Sequence, residues 1–339
     1  MDLHVTWFFL LAVLLAGYAV LDGFDLGVGI LHMLAKTDTD RRLFINSIGP
    51  IWDGNEVWLI VFGGALFAAF PNAYASVFSG FYTAFMLLLF ALIFRAVSIE
   101  FRSKMKSAAW RRVWDFGFFF SSSLATLLFG VAVGNGMVGI PLDPEGNFIG
   151  SFFDLLNPYA LVSGLVALAL FAMHGALYLF LKLPDGEVRE RVKGWMWHTW
   201  GTFLVLYILG TMYTLVAVPR STANFANHPW AALIVVLNVL AVANIPRSVY
   251  RNRPVEAFAS SSVTIVCLVS LFSLALWPNL VTASNNPNNH LTVYNAASSA
   301  GTLWTMFIIV LIGMPFVLAY TSAVYWTFRG RVELGEHSY

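Results

Sequence analysis

Apolar residues run along this chain in nine long stretches, roughly 7–34, 49–70, 74–98, 114–138, 155–182, 196–218, 230–246, 257–277 and 303–327. Each approaches the ~20 residues that a membrane-spanning helix needs. The second stretch begins with a polar interruption, Trp52-Asp53-Gly54-Asn55-Glu56. The seventh is short, bounded by Pro229 and Pro246, and a polar loop separates the fifth from the sixth. The longest connection on the opposite side, 278–302, is rich in Asn, Ser and Pro and reads as irregular polar structure. The pattern predicts an all-α integral membrane protein of nine transmembrane helices.

Loop charges orient it. Lys36, Arg41 and Arg42 follow the first stretch, and Arg102, Lys104, Lys106, Arg111 and Arg112 follow the third. Lys182, Arg189, Arg191 and Lys193, then Arg247, Arg251 and Arg253, then Arg329 and Arg331 occupy the later alternate positions. The intervening loops hold Arg220 alone of the 19 basic residues. Basic loops stay on the cytoplasmic side, which predicts an outside N-terminus and a cytoplasmic C-terminus. The first segment has no charged start and no small-residue cleavage site, and reads as a retained helix.

Composition agrees. Hydrophobic residues make up 59% of the 339 and charged residues 11%, against roughly 25% charged in soluble domains. A net charge of +1 excludes a nucleic-acid binder working through a broad basic face. One cysteine, Cys267, excludes a disulfide framework or thiolate cluster.

Against that background the acids inside the apolar stretches stand out, since each costs about 2.5–3.5 kcal/mol to insert. Asp22 and Asp25 lie three residues apart on one face of the first helix, and Asp53 and Glu56 repeat the spacing in the second. Asp22 sits about 22 Å along its helix. Arg95 and Glu100 close the third stretch, with Lys104 just beyond. All fall in the inner halves of consecutive helices and suggest a polar funnel opening to the cytoplasm, the usual material of a proton relay. The competing reading is structural: each acid pairs with a base such as Arg95 or caps a helix. Asp115 reads as an N-terminal helix charge at the headgroup level. Gly17, Gly23, Gly27, Gly29, Gly63 and Gly64 signal close helix packing. Trp52 reads as packing; Trp58 either packs or lines a small-molecule path.

Haem needs axial ligands at matching depth. His4, His228, His290 and His337 fall in loops or tails, and His32 with His198 is the one conceivable pair. His174, deep in a span, reads as a hydrogen-bonded histidine of the bundle. No metal spacing or phosphate-binding loop appears. The intramembrane acids and the histidines leave two readings to weigh, an ion-coupled transporter and a self-contained haem protein. Transporters often repeat broken helices in both halves, whereas here the charge is confined to the first half.

The run from Ala19-Val20-Leu21-Asp22-Gly23-Phe24-Asp25-Leu26-Gly27 to Gly29 resembles the first helix of subunit II of cytochrome bd-type quinol oxidases. So do Ile45-Asn46-Ser47-Ile48-Gly49-Pro50-Ile51-Trp52-Asp53-Gly54-Asn55, Gly63-Gly64-Ala65-Leu66-Phe67, Phe94-Arg95, Phe101-Arg102-Ser103-Lys104 and Trp114-Asp115. The likeness is dense over about residues 15–135 and thins afterwards. It implies two four-helix bundles plus one helix, the first over 1–138 and the second with the extra helix over 155–327. It implies a partner, subunit I, that carries two b-type haems and one d-type haem, while this chain ligates none. It implies quinol and oxygen as reactants of the complex, with proton uptake from the cytoplasm and no pumping. Asp22, Asp53, Glu100 and Lys104 take the family's proposed proton path, with Asp25 and Glu56 as further members. Trp58 takes the place of the tryptophan near its oxygen path. Glu56 departs from the Gln of some members, and His174 matches no family role. Some members hold a structural quinone or a small single-helix subunit. The resemblance places the protein in a bacterial or archaeal plasma membrane.

Overall fold

The computed structural model describes residues 2–335, so His337 lies outside the described residues. Among the described residues twelve α-helices form in order: α1 (Leu3–Leu31), α2 (Asp38–Ile48), α3 (Trp52–Ala69), α4 (Pro71–Gly80), α5 (Tyr82–Phe101), α6 (Ala108–Val138), α7 (Pro158–Lys182), α8 (Glu187–Ala217), α9 (Ala223–Asn227), α10 (Ala232–Tyr250), α11 (Pro254–Leu276) and α12 (Ala300–Thr327). Of these, α1, α5, α6, α7, α8, α10, α11 and α12 are long and apolar enough to cross a membrane. Helix α3 is not among the eight. It has 18 residues, and Asp53, Asn55 and Glu56 fall in its first turns.

The helix ends follow local chemistry. The Asp2 carboxylate caps α1, which places His4 in the first turn of that helix and not in a tail. Thr37 and Asp40 form a reciprocal capping box that starts α2, so the polar stretch after α1 is a helix and not a loop. Ser107 caps α6 six residues earlier than the apolar run suggests. Helix α8 likewise begins at Glu187, with Glu187 and Glu190 in its first turn, where acids favour the helix dipole. The expected polar loop between α7 and α8 therefore shrinks to residues 183–186. Pro246 does not end its segment, because α10 runs through it to Tyr250. Asn244, beside the proline, donates to Ser260 of α11 at 2.9 Å, the kind of neighbour support that lets membrane helices keep a proline.

Residues 278–302 are more ordered than their composition suggested. Asn279–Val281 pairs antiparallel with Leu291–Thr292. Asn285 clamps the backbone of Leu142 in both directions, at 2.9 and 3.1 Å. The asparagines thus supply backbone-like hydrogen bonds between two connections at the Trp7 end of α1.

Helix α1 lies at the centre and packs on α3, α6, α7 and α11. Its two faces differ. Gly27 crosses Gly175 of α7 so closely that a Cβ on Gly27 would lie 2.0 Å from the Phe171 carbonyl oxygen. The other stripe carries Tyr18, Asp22, Asp25, Gly29 and His32, all buried except half-buried positions between them. Spacing by three and four puts these five on one face. Gly63 and Gly64 of α3 behave differently from Gly27, with nothing within 4 Å of a Cβ built on either. They leave an uncovered surface where close packing was expected.

Candidate functional site: a buried acid cluster

The polar stripe of α1 meets α3 and α5 at one cation. Arg95 of α5 is fully buried and grips Asp22 with both terminal nitrogens, at 2.7 and 3.1 Å. The same guanidinium also donates to Glu56 of α3. This fork on a carboxylate is the strong, charge-assisted geometry. Asp25, one turn further along α1, takes a different partner. The Asn55 amide nitrogen donates to Asp25 Oδ2 at 2.7 Å and to the Leu21 carbonyl at 3.3 Å. Tyr325 of α12 in turn donates to Asn55 Oδ1 at 2.8 Å. Asp25 Oδ1 and the Tyr18 hydroxyl are buried with no hydrogen-bond partner among the described residues. Asp22 and Glu56 therefore share one guanidinium, and Asp25 lies a turn away with an amide as its partner, in a site closed to solvent apart from Glu56, whose side chain is 24% exposed.

A second network lies beyond it, at the His32 end of α1. Asp115 of α6 is buried and lies two turns into its helix, not in the first turn as its sequence position suggested, because α6 starts at Ala108. It accepts from His32 Nε2 at 2.6 Å, Arg102 Nε at 2.6 Å and Arg41 at 2.9 Å. Arg102 continues to Asp38 at 2.7 Å, and Arg111 reaches the same carboxylate at 2.9 Å. Asp40 of α2 binds Arg191 of α8 at 2.9 Å. Partial burial pushes its carboxyl up, but the hydrogen bonds from Arg191 and Thr37 outweigh that and hold it below the usual carboxylate range.

The remaining expected residues are dispersed. Asp53 is exposed in the first turn of α3, beside Gly54, which has open space around it. Glu100 is half-buried near the end of α5, and Lys104 is exposed in the turn that follows. The Trp58 ring packs directly against Gly17, where a Cβ would lie 2.6 Å from it. Trp52 is buried. The structure thus gathers Asp22, Asp25, Glu56 and Arg95, and leaves Asp53 and Lys104 on the surface of this chain. Asn55 and Tyr325 are members that sequence reasoning missed. Asn55 sits inside the polar run that opens α3, which was a usable signal, whereas nothing local marked Tyr325.

His174 has both ring nitrogens engaged, Nδ1 with Ser261 at 2.7 Å and Nε2 with the Val20 carbonyl at 3.0 Å. It is the hydrogen-bonded bundle histidine expected. Towards the Trp7 end, an apolar cavity of about 920 Å³ opens between the helices, walled by Phe8, Leu15, Phe129, Val166 and Phe272. Tyr159 and Thr214, hydrogen-bonded to each other at 2.8 Å, supply part of its polar lining.

Fold and site together define a polytopic helical membrane protein that buries an acid-rich ionic network near one end. A model of the family described as cytochrome bd terminal oxidase subunit II matches residues 3–328. Subunit 2 of the cytochrome bd-I ubiquinol oxidase of Escherichia coli (strain K12) is 37% identical over 365 residues, 97% of this chain and 95% of that protein. The cytochrome bd ubiquinol oxidase subunit 2 of Bacillus subtilis (strain 168) is 34% identical over 336 residues, 98% and 97% of the two chains. A chain in the structure of bd oxidase from Geobacillus thermodenitrificans shares the fold, with a TM-score of 0.78 over 97% of this chain and 99% of that one, at 15% identity. The protein belongs to the cytochrome bd terminal oxidase subunit II family. It is a membrane subunit of an oxidoreductase complex.

Proposed function

We propose that this chain is the haem-free second subunit of a quinol:oxygen oxidoreductase, and that its buried acid cluster forms part of the complex's proton-uptake path. The observation that carries the reading is the imbalance at Arg95. Three acids, Asp22, Asp25 and Glu56, face one cation. A buried net charge is strongly disfavoured, so the cluster holds protons that are not fixed by ion pairing and are free to be exchanged. Asp53, exposed at the start of α3, and Glu100 and Lys104, at the end of α5, stand where protons reach the cluster from the cytoplasm. Asp22 and Asp25 then pass them toward the partner, the haem-bearing subunit I.

The nine-span arrangement is part of this proposal, with an outside N-terminus and a cytoplasmic C-terminus. Helix α3 extends about 27 Å, close to the hydrocarbon thickness of about 30 Å, and its polar first turns then lie at the cytoplasmic side. The two-bundle division over 1–138 and 155–327 goes with it. The histidines support the haem-free reading. His174 spends both nitrogens on protein groups, and His32 spends Nε2 on Asp115. The two b-type haems and the d-type haem then belong to subunit I. The cavity fits a structural quinone, being large, apolar and supplied with hydroxyl groups; when bound, that molecule would supply bulk to the bundle and, in this chain, no electron step. Trp58, packed on Gly17, borders the oxygen path. A small single-helix subunit is a further partner to be sought. A transporter is disfavoured because the ionic clusters centre on α1 to α6, with no matching set among the described residues of α7 to α12.

Replacing Asp53 by Asn in the assembled complex should slow quinol-driven oxygen consumption while haem content stays normal. Undiminished turnover in a normally assembled variant would remove Asp53 from the path. The isolated chain should be colourless beside the haem-rich complex.

A further inference from the structure

The acid cluster has one carboxyl that Arg95 does not hold. Asp25 is 1% exposed, and its polar partner is an amide, not a cation. Which way that amide faces decides what the carboxyl can do. The Leu21 carbonyl can only accept, so the Asn55 nitrogen must point toward it at 3.3 Å, and the same nitrogen reaches Asp25 Oδ2 at 2.7 Å. The amide oxygen is then left facing α12, where the Tyr325 hydroxyl donates to it at 2.8 Å. Asp25 Oδ2 is thereby committed as an acceptor. A proton on Asp25 has one place left, Oδ1, which is buried and has no partner among the described residues.

We infer that Tyr325 is a positioning residue of the proton path: it locks the Asn55 amide so that Asp25 takes up and releases its proton only through Oδ1. This rests on the proton-uptake reading proposed above and goes beyond it, because it brings the last helix into the site. Tyr325 touches no reactant. It acts through Asn55, from a helix whose side chains are otherwise mostly exposed. Without its hydroxyl the amide can turn, present its oxygen to Asp25 and accept a proton-bearing Oδ2, so the carboxyl would exchange through either oxygen.

The test uses the intact complex. Redox-induced infrared difference spectra are recorded for the wild type and for Asp25→Asn, Tyr325→Phe, Asn55→Ala and the Tyr325→Phe/Asn55→Ala pair, with 13C-aspartate labelling to identify the carboxyl band. The wild type should show an aspartate carboxyl band that Asp25→Asn removes. Tyr325→Phe should move that band and lower turnover about two- to tenfold, the scale of one neutral hydrogen bond. The double variant should match Asn55→Ala alone, since both act through one amide. A band unmoved in Tyr325→Phe, or effects that simply add, would overturn the inference while leaving the proton path standing. Should Tyr325→Phe not assemble, a wild-type band in Asn55→Ala overturns it equally. If Asp25→Asn removes no band and leaves turnover intact, the proton-uptake reading fails at Asp25 and this inference falls with it.

Discussion

Replacing Arg95 by Met removes the one cation from a cluster of three acids. The guanidinium makes two charge-assisted hydrogen bonds to Asp22 and a third to Glu56. Asp22 is fully buried, so it bears most of the loss, while Glu56 retains partial access to solvent. Breaking one side of a buried ion pair costs about 3–5 kcal/mol, because a charge is left without compensation. At about 2–4 °C per kcal/mol for a chain of this class, the midpoint for loss of the assembled complex should fall by about 6–20 °C. Thermal challenge followed by size-exclusion chromatography measures it. Adding Asp22→Asn to Arg95→Met should recover most of the loss. A midpoint unchanged in Arg95→Met would refute the argument, since it would mean that no buried carboxylate depends on that guanidinium.

Asp115→Asn should destabilise the complex by a similar amount, about 3–5 kcal/mol, because His32, Arg41 and Arg102 converge on that one carboxylate; a denaturation midpoint equal to wild type would contradict the buried network. Gly27→Ala should prevent normal assembly, since the added Cβ meets backbone at 2.0 Å, whereas Gly54→Ala should be tolerated by this chain, having nothing within 4 Å; heterologous yield of each variant decides. The tie between α2 and α8 should loosen in acid. The Asp40 carboxyl is held below its ordinary value in the folded chain, so its contribution is present above about pH 4 and is lost as pH falls through the folded value. Proteolysis near α2 should accelerate there, and Asp40→Asn should remove that pH dependence; cleavage of the variant with the wild-type pH profile would speak against it.

The membrane class and the positions of the apolar helices were legible because their length alone sets them apart from soluble cores. The ends were not. Apolar patterning cannot see a helix that continues past the hydrocarbon, so the nine residues that open α8 ahead of its apolar run and the whole of α2 read as loops, although a capping box marked α2 and first-turn acids marked both. The same blindness misplaced Asp115. A carboxylate followed by apolar residues looks like a helix start until Ser107 is recognised as the real cap. For the acid cluster, the i, i+3 pairs announced a shared face, and Arg95 stood out as a base set back from the end of an apolar stretch. What spacing could not supply was the partition: which acid takes the cation, and which is left with an amide. That depends on Asn55 and Tyr325, which lie 30 and 300 residues from Asp25 along the chain.

The two faces of α1 explain why the cluster can persist. The glycine face lets α1 and α7 touch backbone to backbone at Gly27 and Gly175, which fixes the rotation of α1 about its own axis. With that rotation fixed, the stripe from Tyr18 through Asp22 and Asp25 to His32 must face α3, α5 and α6. A turn of α1 by one residue would carry Asp22 through about 100° and away from Arg95. The glycines, which bear no chemistry, therefore set the geometry of the residues that do. The excess of acid over base at Arg95 follows from a stripe whose members cannot turn aside to seek other partners. A substitution that loosens the Gly27–Gly175 crossing without blocking assembly should change turnover before it changes stability, because the acids lose their register with Arg95 and Asn55 while the apolar packing of α6 on α7 survives.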